Sequence, residues 1–204
     1  MSALIYLVRH GQTIFNAERR LQGHLDSALT PLGMAQAESF GATLRHLVGN
    51  RSCQIIASPL GRAVQTASYI AKAIQGASPV KTDADWMEIS MGQWDGHTDA
   101  EIEAGWPNMR DGLAADHWHF HAPNGESFAQ IAERITRGLE VAKAAQSEVV
   151  IIVSHGITSR VARGIWAGLT FNQLAGLPVP QDSLFTLGAN GHIETVAVST
   201  ANVS

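Results

Sequence analysis

The sequence predicts an α/β fold of three layers, α/β/α, with a mostly parallel central sheet carrying helices on both faces. Three observations lead to it. Apolar runs such as Leu4, Ile5, Leu7, Val8 and Val149 to Val153 are continuous, which suits strands covered on both sides. These runs alternate with stretches of helical period, the order of an α/β sheet. Polar clusters follow the runs directly, at Arg9-His10, Ser58 to Arg62 and Ser154-His155, where strand ends should open on a crevice.

The elements follow in chain order. The first strand ends in Arg9, His10, Gly11, Gln12, Thr13 and Asn16. Thr30-Pro31 starts a helix, Thr as cap and Pro in the first turn, where its missing N–H costs nothing. Met34, Ala37, Phe40, Gly41, Leu44, Leu47 and Val48 give that helix one apolar face, ended by Gly49-Asn50. Ile55 to Ala57 is a short strand, and Ser58-Pro59 repeats the cap-and-proline start, placing Arg62 in the first turn of a second helix. Gly76 to Gly96 reads as loop with a strand near Val80 to Thr82. Thr98 and Glu101 form a capping box for a short helix stopped at Gly105-Trp106-Pro107. Asn108 to Gly125 has no clear period. Ser127 caps a long helix, Val149 to Val153 is a buried strand, and a helix from about Ile157 to Trp166 follows. A hairpin closes the pattern, with strands near Ser183 to Leu187 and His192 to Val198 about an Asn190-Gly191 turn. The expectation is one domain over 1–204 with a lid-like insertion at about 97–125.

Composition narrows the function. A chain of 204 residues, 45% hydrophobic and 16% charged, can bury one sizeable core, and its longest strongly apolar stretch is far short of a membrane span. There is no basic region or small-residue cleavage pattern before the first apolar run, so a cytoplasmic location is expected. Cys53 is the single cysteine, which excludes an internal disulfide and suits core filling. A net charge of −4 argues against coating nucleic acid or an anionic membrane through bulk charge, so anion binding must be local. Neither nucleic acid nor membrane is an expected partner, and a homodimer is left open.

Two arginines and two histidines at the ends of three strands supply donors for the three equatorial oxygens of a phosphoryl group, arginine contributing planar forks. Arg9 and Arg62 also disfavour a further positive charge on His10, keeping its imidazole neutral and nucleophilic near neutral pH.

The ordered blocks Leu7-Val8-Arg9-His10-Gly11-Gln12-Thr13 with Asn16, Gln22-Gly23, Asp26, Leu29-Thr30, Gly33 and Gln36-Ala37, then Ser58-Pro59-Leu60, Arg62-Ala63 and Gln65-Thr66-Ala67, then Glu88, Gly92, Trp94-Asp95-Gly96, and last Ser154-His155-Gly156, resemble the histidine phosphatase superfamily, the phosphoglycerate mutase-like proteins. The resemblance implies that fold and a phosphohistidine mechanism. His10 is the implied nucleophile. Arg9, Arg62 and His155 are the implied holders of the phosphoryl group, helped by Asn16, Gln22, Gly23 and Gly156. Glu88 is the implied general acid and later base, with Asp83, Asp85 and Asp95 as ordinary loop carboxylates. It implies no cofactor and no metal, and hence resistance to chelators. A phosphomonoester hydrolase of small metabolites is favoured. A cofactor-dependent phosphoglycerate mutase and a phospho-ligand binding module are the alternatives. In those mutases Arg-His-Tyr-Gly follows the acid, whereas Ile89-Ser90-Met91-Gly92 follows Glu88 here.

His117, His119 and His121 alternate with Trp118 and Phe120, which on a strand would align three imidazoles, but no cysteine or acidic companion sits at a matching spacing, so no metal site is assigned. Trp106, Arg110 and Trp118 are instead the candidates for a lid that recognises the rest of the substrate, with core packing accounting equally well for the tryptophans. His24, His46, His97 and His192 read as surface or supporting residues.

Overall fold

β1 (Leu4–Arg9), β2 (Cys53–Ala57), β3 (Lys81–Thr82), β4 (Val149–Ser154), β5 (Ser183–Leu187) and β6 (Ile193–Ala197) form one sheet in the computed structural model, ordered β3-β2-β4-β1-β5-β6. The structure describes residues 3–114 and 117–198. The first four strands of that order are mutually parallel, and the hairpin of β5 and β6 joins β1 antiparallel. The sheet is therefore mostly parallel, and its continuous apolar strands, β1 and β4, occupy the middle.

Side chains along each strand alternate between two cores. Ile5, Leu7, Ile56, Val150 and Ile152 face one side, packing with Ile131, Ile135 and Leu139 of α5 (Phe128–Lys143) and Val161 of α6 (Gly156–Trp166). Tyr6, Val8, Ile55, Val149 and Ile151 face the other, against Phe40 and Leu44 of α2 (Pro31–Val48) and Ala63, Ala67 and Ile70 of α3 (Gly61–Ala73). This is the expected three-layer arrangement, with the topology of phosphoglycerate mutase-like proteins.

Most helix starts follow the sequence signals. Thr30 accepts from the Gly33 N–H and Pro31 opens α2, while Thr98 and Ser127 form capping boxes for α4 (Asp99–Gly105) and α5. The second helix departs from expectation: α3 begins at Gly61 with Leu60 as an uncapped start. The Ser58 hydroxyl accepts from the Leu60 N–H at 3.3 Å and from His155 Nε2 at 2.7 Å, ahead of the first helical residue. Two short helices escaped the pattern, α1 (Ile14–Ala17) and α7 (Phe171–Ala175), each too short for an apolar stripe. The loop read over Gly76 to Gly96 contains two 3₁₀ turns that bury Trp86 and Trp94 completely. Residues 117–121 form a turn and a 3₁₀ helix, Trp118–Phe120, so the three histidines do not lie along a strand. Ala115 and Asp116, within the expected lid, lie outside the described residues. Among the described residues no helix is long and apolar enough to cross a membrane.

The loop after β1 is clamped by a backbone crossing. A Cβ on Gly33 would meet the Gln12 carbonyl oxygen at 2.0 Å, and one on Gly11 would meet the Gly33 oxygen at 2.2 Å. Gly33→Ala is expected to cost about 1–3 kcal/mol through forced backbone movement, lowering Tm by about 2–4 °C per kcal/mol. Gly105→Ala meets nothing within 4 Å and is expected to change stability by less than about 1 kcal/mol. Thermal melts of both variants check this; equal melting temperatures contradict it.

Candidate active site

Strand register brings the polar clusters together. Arg9 lies opposite Ser154, Ala57 opposite Val153, and the His10 and Ser58 N–H groups extend the ladders to the Ser154 and Val153 carbonyls at 3.0 and 2.9 Å. The ends of β1, β2 and β4 are therefore level. They border a cavity of about 170 Å³ lined by Arg9, His10, Asn16, Gln22, Gly23, Arg62, Glu88 and Gly156, together with Arg20, Met91, His119, Ile157 and Val179. A larger groove of about 390 Å³, between α5, α6 and the hairpin loop, holds none of these residues.

His10 is buried, and its Nδ1 lies 2.7 Å from the Gly11 carbonyl oxygen. A carbonyl can only accept, so Nδ1 carries the proton and the Nε2 lone pair is left available. Burial, then Arg62, then Arg9, hold the ring well below the usual histidine value, so it is neutral at neutral pH. His155 is lowered likewise, by burial first and Arg62 next. Its Nδ1 must accept from Arg62 Nε at 3.2 Å, so Nε2 bears the proton and donates to Ser58 Oγ at 2.7 Å.

Both nitrogens of His155 thus have protein partners, Arg62 and Ser58. Its ring meets that of His10 edge-on, centroids 5.1 Å apart.

Arg62 is buried and also donates to the carbonyls of Gly23 and Leu25 at 2.8 and 2.7 Å and to Asp26 Oδ1 at 3.2 Å. Arg9 donates from Nη1 to the Val179 carbonyl; its Nε is buried without a hydrogen-bond partner among the described residues. Burial lowers Arg9 to about 10, with Glu88 pulling the other way, so it remains a cation at neutral pH.

Glu88 reaches the cavity from the loop after Trp86. Its Oε1 accepts from the Ile89 and Thr158 N–H groups, each at 3.0 Å, and its Oε2 from the Ile157 N–H at 3.3 Å. The Thr158 hydroxyl is shared between Oε1 and the Met87 carbonyl. The other loop carboxylates are occupied structurally. Asp83 accepts from the Asp85 N–H, Asp85 pairs with Arg137, and Asp95 accepts from the His24 and Met91 N–H groups.

Gly23, at φ +48°, is required where it stands, because a Cβ would fall 1.8 Å from Asp95 Oδ1. Gln22 is buried and accepts from the Ser27 hydroxyl at 3.3 Å.

The aromatic residues of the expected lid pack on one another and on Arg110. Arg110 stacks over Trp118 at 4.0 Å and Trp94 at 5.2 Å and pairs with Asp99, while Trp106 donates to Gln93. None of Trp106, Arg110 and Trp118 lines the cavity; His119, stacked on Trp118 with ring centroids 3.9 Å apart, does. His117 packs on Phe171, and no metal-binding group of three His, Cys, Asp or Glu occurs among the described residues. His24 is a supporting residue, its Nε2 donating to the Glu88 carbonyl at 2.9 Å. Burial pushes the Cys53 thiol up to about 11, so it stays protonated.

Sequence reasoning missed Asp26 as the partner of Arg62, Thr158 as a partner of Glu88, and Thr66, which accepts from the Gly11 N–H at 3.1 Å. Asp26 and Thr66 stood inside recognised motif blocks, which was the available signal; Thr158 carried none.

The model of the histidine phosphatase superfamily (branch 1) matches residues 5–200. The chain is 33% identical over 204 residues to a protein named glucosyl-3-phosphoglycerate phosphatase from Mycolicibacterium vanbaalenii, covering 96% of this chain and 83% of that one. It is 36% identical over 169 residues to an Erwinia tasmaniensis protein named "Probable phosphoglycerate mutase GpmB", covering 82% and 76%. Among solved structures, a mycobacterial glucosyl-3-phosphoglycerate phosphatase in complex with VO3 superposes with a TM-score of 0.76 at 27% identity, over 96% of this chain and 97% of that one. The α-ribazole phosphatase of Shigella flexneri shares the fold, with a TM-score of 0.80 at 22% identity over 97% of each chain.

Neutral burial of His10 and His155 makes stability depend on pH with a definite sign. Their folded values lie below the ordinary 6.5, so the unfolded chain binds more protons once the pH falls past that value. The unfolding free energy is expected to be level from about pH 8 to 7 and to fall below about pH 6.5, by at most about 1.4 kcal/mol per pH unit for each histidine. Urea titrations across this range measure it, and His155→Gln should lessen the slope. Equal stability at about pH 7.5 and 5.5 contradicts the burial of two neutral imidazoles.

Proposed function

Because the chain belongs to the histidine phosphatase superfamily, we propose that it hydrolyses phosphomonoesters of small metabolites through a phosphohistidine formed on His10. The observation that carries this reading is the 2.7 Å approach of His10 Nδ1 to the Gly11 carbonyl, which assigns the proton to Nδ1 and leaves Nε2 as the neutral nucleophile of a ring that feels Arg9 and Arg62.

In the first step the Nε2 lone pair attacks phosphorus in line, the P–N bond forms as the ester P–O bond breaks, and Glu88 protonates the departing alkoxide. Arg9 and Arg62 stabilise charge on the equatorial oxygens as it develops, with Asn16, Gln22, Gly23 and Gly156 around the phosphoryl group. In the second step a water gives its proton to Glu88 as its oxygen attacks phosphorus, returning free His10 and inorganic phosphate. His155 keeps Arg62 in place through Nδ1. That a mycobacterial relative of the same fold forms a complex with VO3 supports a phosphoryl-binding role for this chain.

The Erwinia relative's name favours a second reading, a mutase. That activity must retain a phosphorylated intermediate against water, and the residues after Glu88, Ile89-Ser90-Met91, bring no cation to the acid. A panel of phosphoglycerates, sugar phosphates and p-nitrophenyl phosphate, run beside an isomerase assay with and without bisphosphoglycerate, separates the two. Phosphate release well above isomerisation is expected; isomerisation with little release overturns the proposal.

Glu88→Gln keeps the size and an acceptor oxygen but cannot transfer a proton to the leaving alkoxide. It is expected to lower kcat about 10²–10⁴-fold on esters with poor leaving groups, with vanadate inhibition changed far less. Normal turnover in that variant would remove Glu88 from the mechanism.

A further inference from the structure

The segment before β5 carries a polar residue that the mechanism has not used. Gln181 is half-buried, and its Nε2 lies 3.3 Å from the His10 carbonyl oxygen and 3.1 Å from Asn16 Oδ1. The His10 carbonyl can only accept, so the NH₂ end of Gln181 must face it, and the same NH₂ then donates to Asn16. Asn16 Oδ1 also accepts from the Thr13 N–H at 3.2 Å, a backbone donor that admits no other orientation of the amide. With Oδ1 held from two directions, the Asn16 NH₂ is turned away from both partners, and Asn16 lines the cavity beside Arg9 and His10.

The support for Gln181 is stiff. Pro178 and Pro180 flank Val179, fixing two φ angles and removing two N–H groups. The carbonyls on either side of that joint hold Arg163 and Arg9, from Pro178 and Val179 respectively. One short segment therefore fixes both Arg9 and the amide of Asn16.

We propose that Gln181 is a positioning residue that holds the Asn16 amide with its NH₂ toward the phosphoryl site. The inference rests on the phosphatase reading above, in which Asn16 contacts the phosphoryl group. Without Gln181 the Thr13 N–H remains as the restraint on Asn16, and the donor is less often aimed at the phosphoryl oxygens, in the bound ground state as well as in the transition state.

The test is a double-mutant cycle on Gln181 and Asn16, read as the dissociation constant for orthovanadate by calorimetry and as kcat/KM. Gln181→Met, similar in length and lacking the donor, is expected to weaken vanadate binding roughly three- to tenfold, as loss of one hydrogen bond does. In an Asn16→Ala background the same change should have an effect of less than about twofold, because the group it positions is gone. Gln181→Glu places an acceptor-only carboxylate against Oδ1, should weaken binding at least as much, and serves the same cycle should the methionine variant fold poorly. Equal losses in both backgrounds, or a Gln181→Glu protein that binds vanadate as tightly as the unmutated chain, overturn the proposal. Vanadate binding by an unmutated chain that releases phosphate from no ester tells against the phosphatase reading instead, and leaves the cycle readable in the dissociation constants.

Discussion

The guanidinium of Arg62 sits in the interior with no exposed side-chain surface, and the site is assembled around satisfying it. An uncompensated buried cation is strongly destabilising, by about 3–5 kcal/mol when a partner is removed. Arg62 avoids that by donating to Gly23, Leu25, Asp26 and His155. Each of those contacts also fixes something the chemistry needs. The carbonyls of Gly23 and Leu25 bind the loop carrying Gln22 to α3, while His155, held through Nδ1, is forced into the tautomer that donates to Ser58 and so ties the end of β4 to the end of β2. The cation that faces the cavity is therefore also the joint between three segments of chain.

The sheet supplies the other half of the geometry. Because β4 lies between β1 and β2 in parallel register, Arg9-His10, Ser58 and Ser154-His155 emerge level with one another. Trp86 and Trp94, completely buried in the segment between β3 and α5, anchor the irregular loop that carries Glu88. The carboxylate is then fixed by the first-turn N–H groups of α6, which begins where β4 ends. Nucleophile, cations and carboxylate are positioned by different elements, yet each is referred to the ends of β1, β2 and β4.

Much of this was legible from local pattern. The continuous apolar strands, the Thr30-Pro31 start, the capping boxes at Thr98 and Ser127, and the clusters after the strands all depend on residues close in sequence. What could not be read depends on distant partners. Ser58-Pro59 has the form of a helix cap and the Ser58 hydroxyl does accept from the Leu60 N–H, but it also bonds to His155, 97 residues away, and the helix starts later. The spacing of the histidines at 117–121 would align their rings only on a strand; in the 3₁₀ turn, His117 packs on Phe171 from α7 and His119 stacks on Trp118. The hydrogen bonds of His155 to Arg62 and Ser58 likewise join residues 93 and 97 positions apart, which no local pattern announces.

The central claim is that His10 carries the phosphoryl group covalently. It is tested most directly by turning over a phosphomonoester radiolabelled in its phosphate, quenching the protein in alkali, and locating the bound label. The account predicts a phosphoprotein stable to base and labile to acid, with the label on His10 and none on the His10→Ala protein. An acid-stable label on a hydroxyl side chain, or full turnover by His10→Ala, would contradict it.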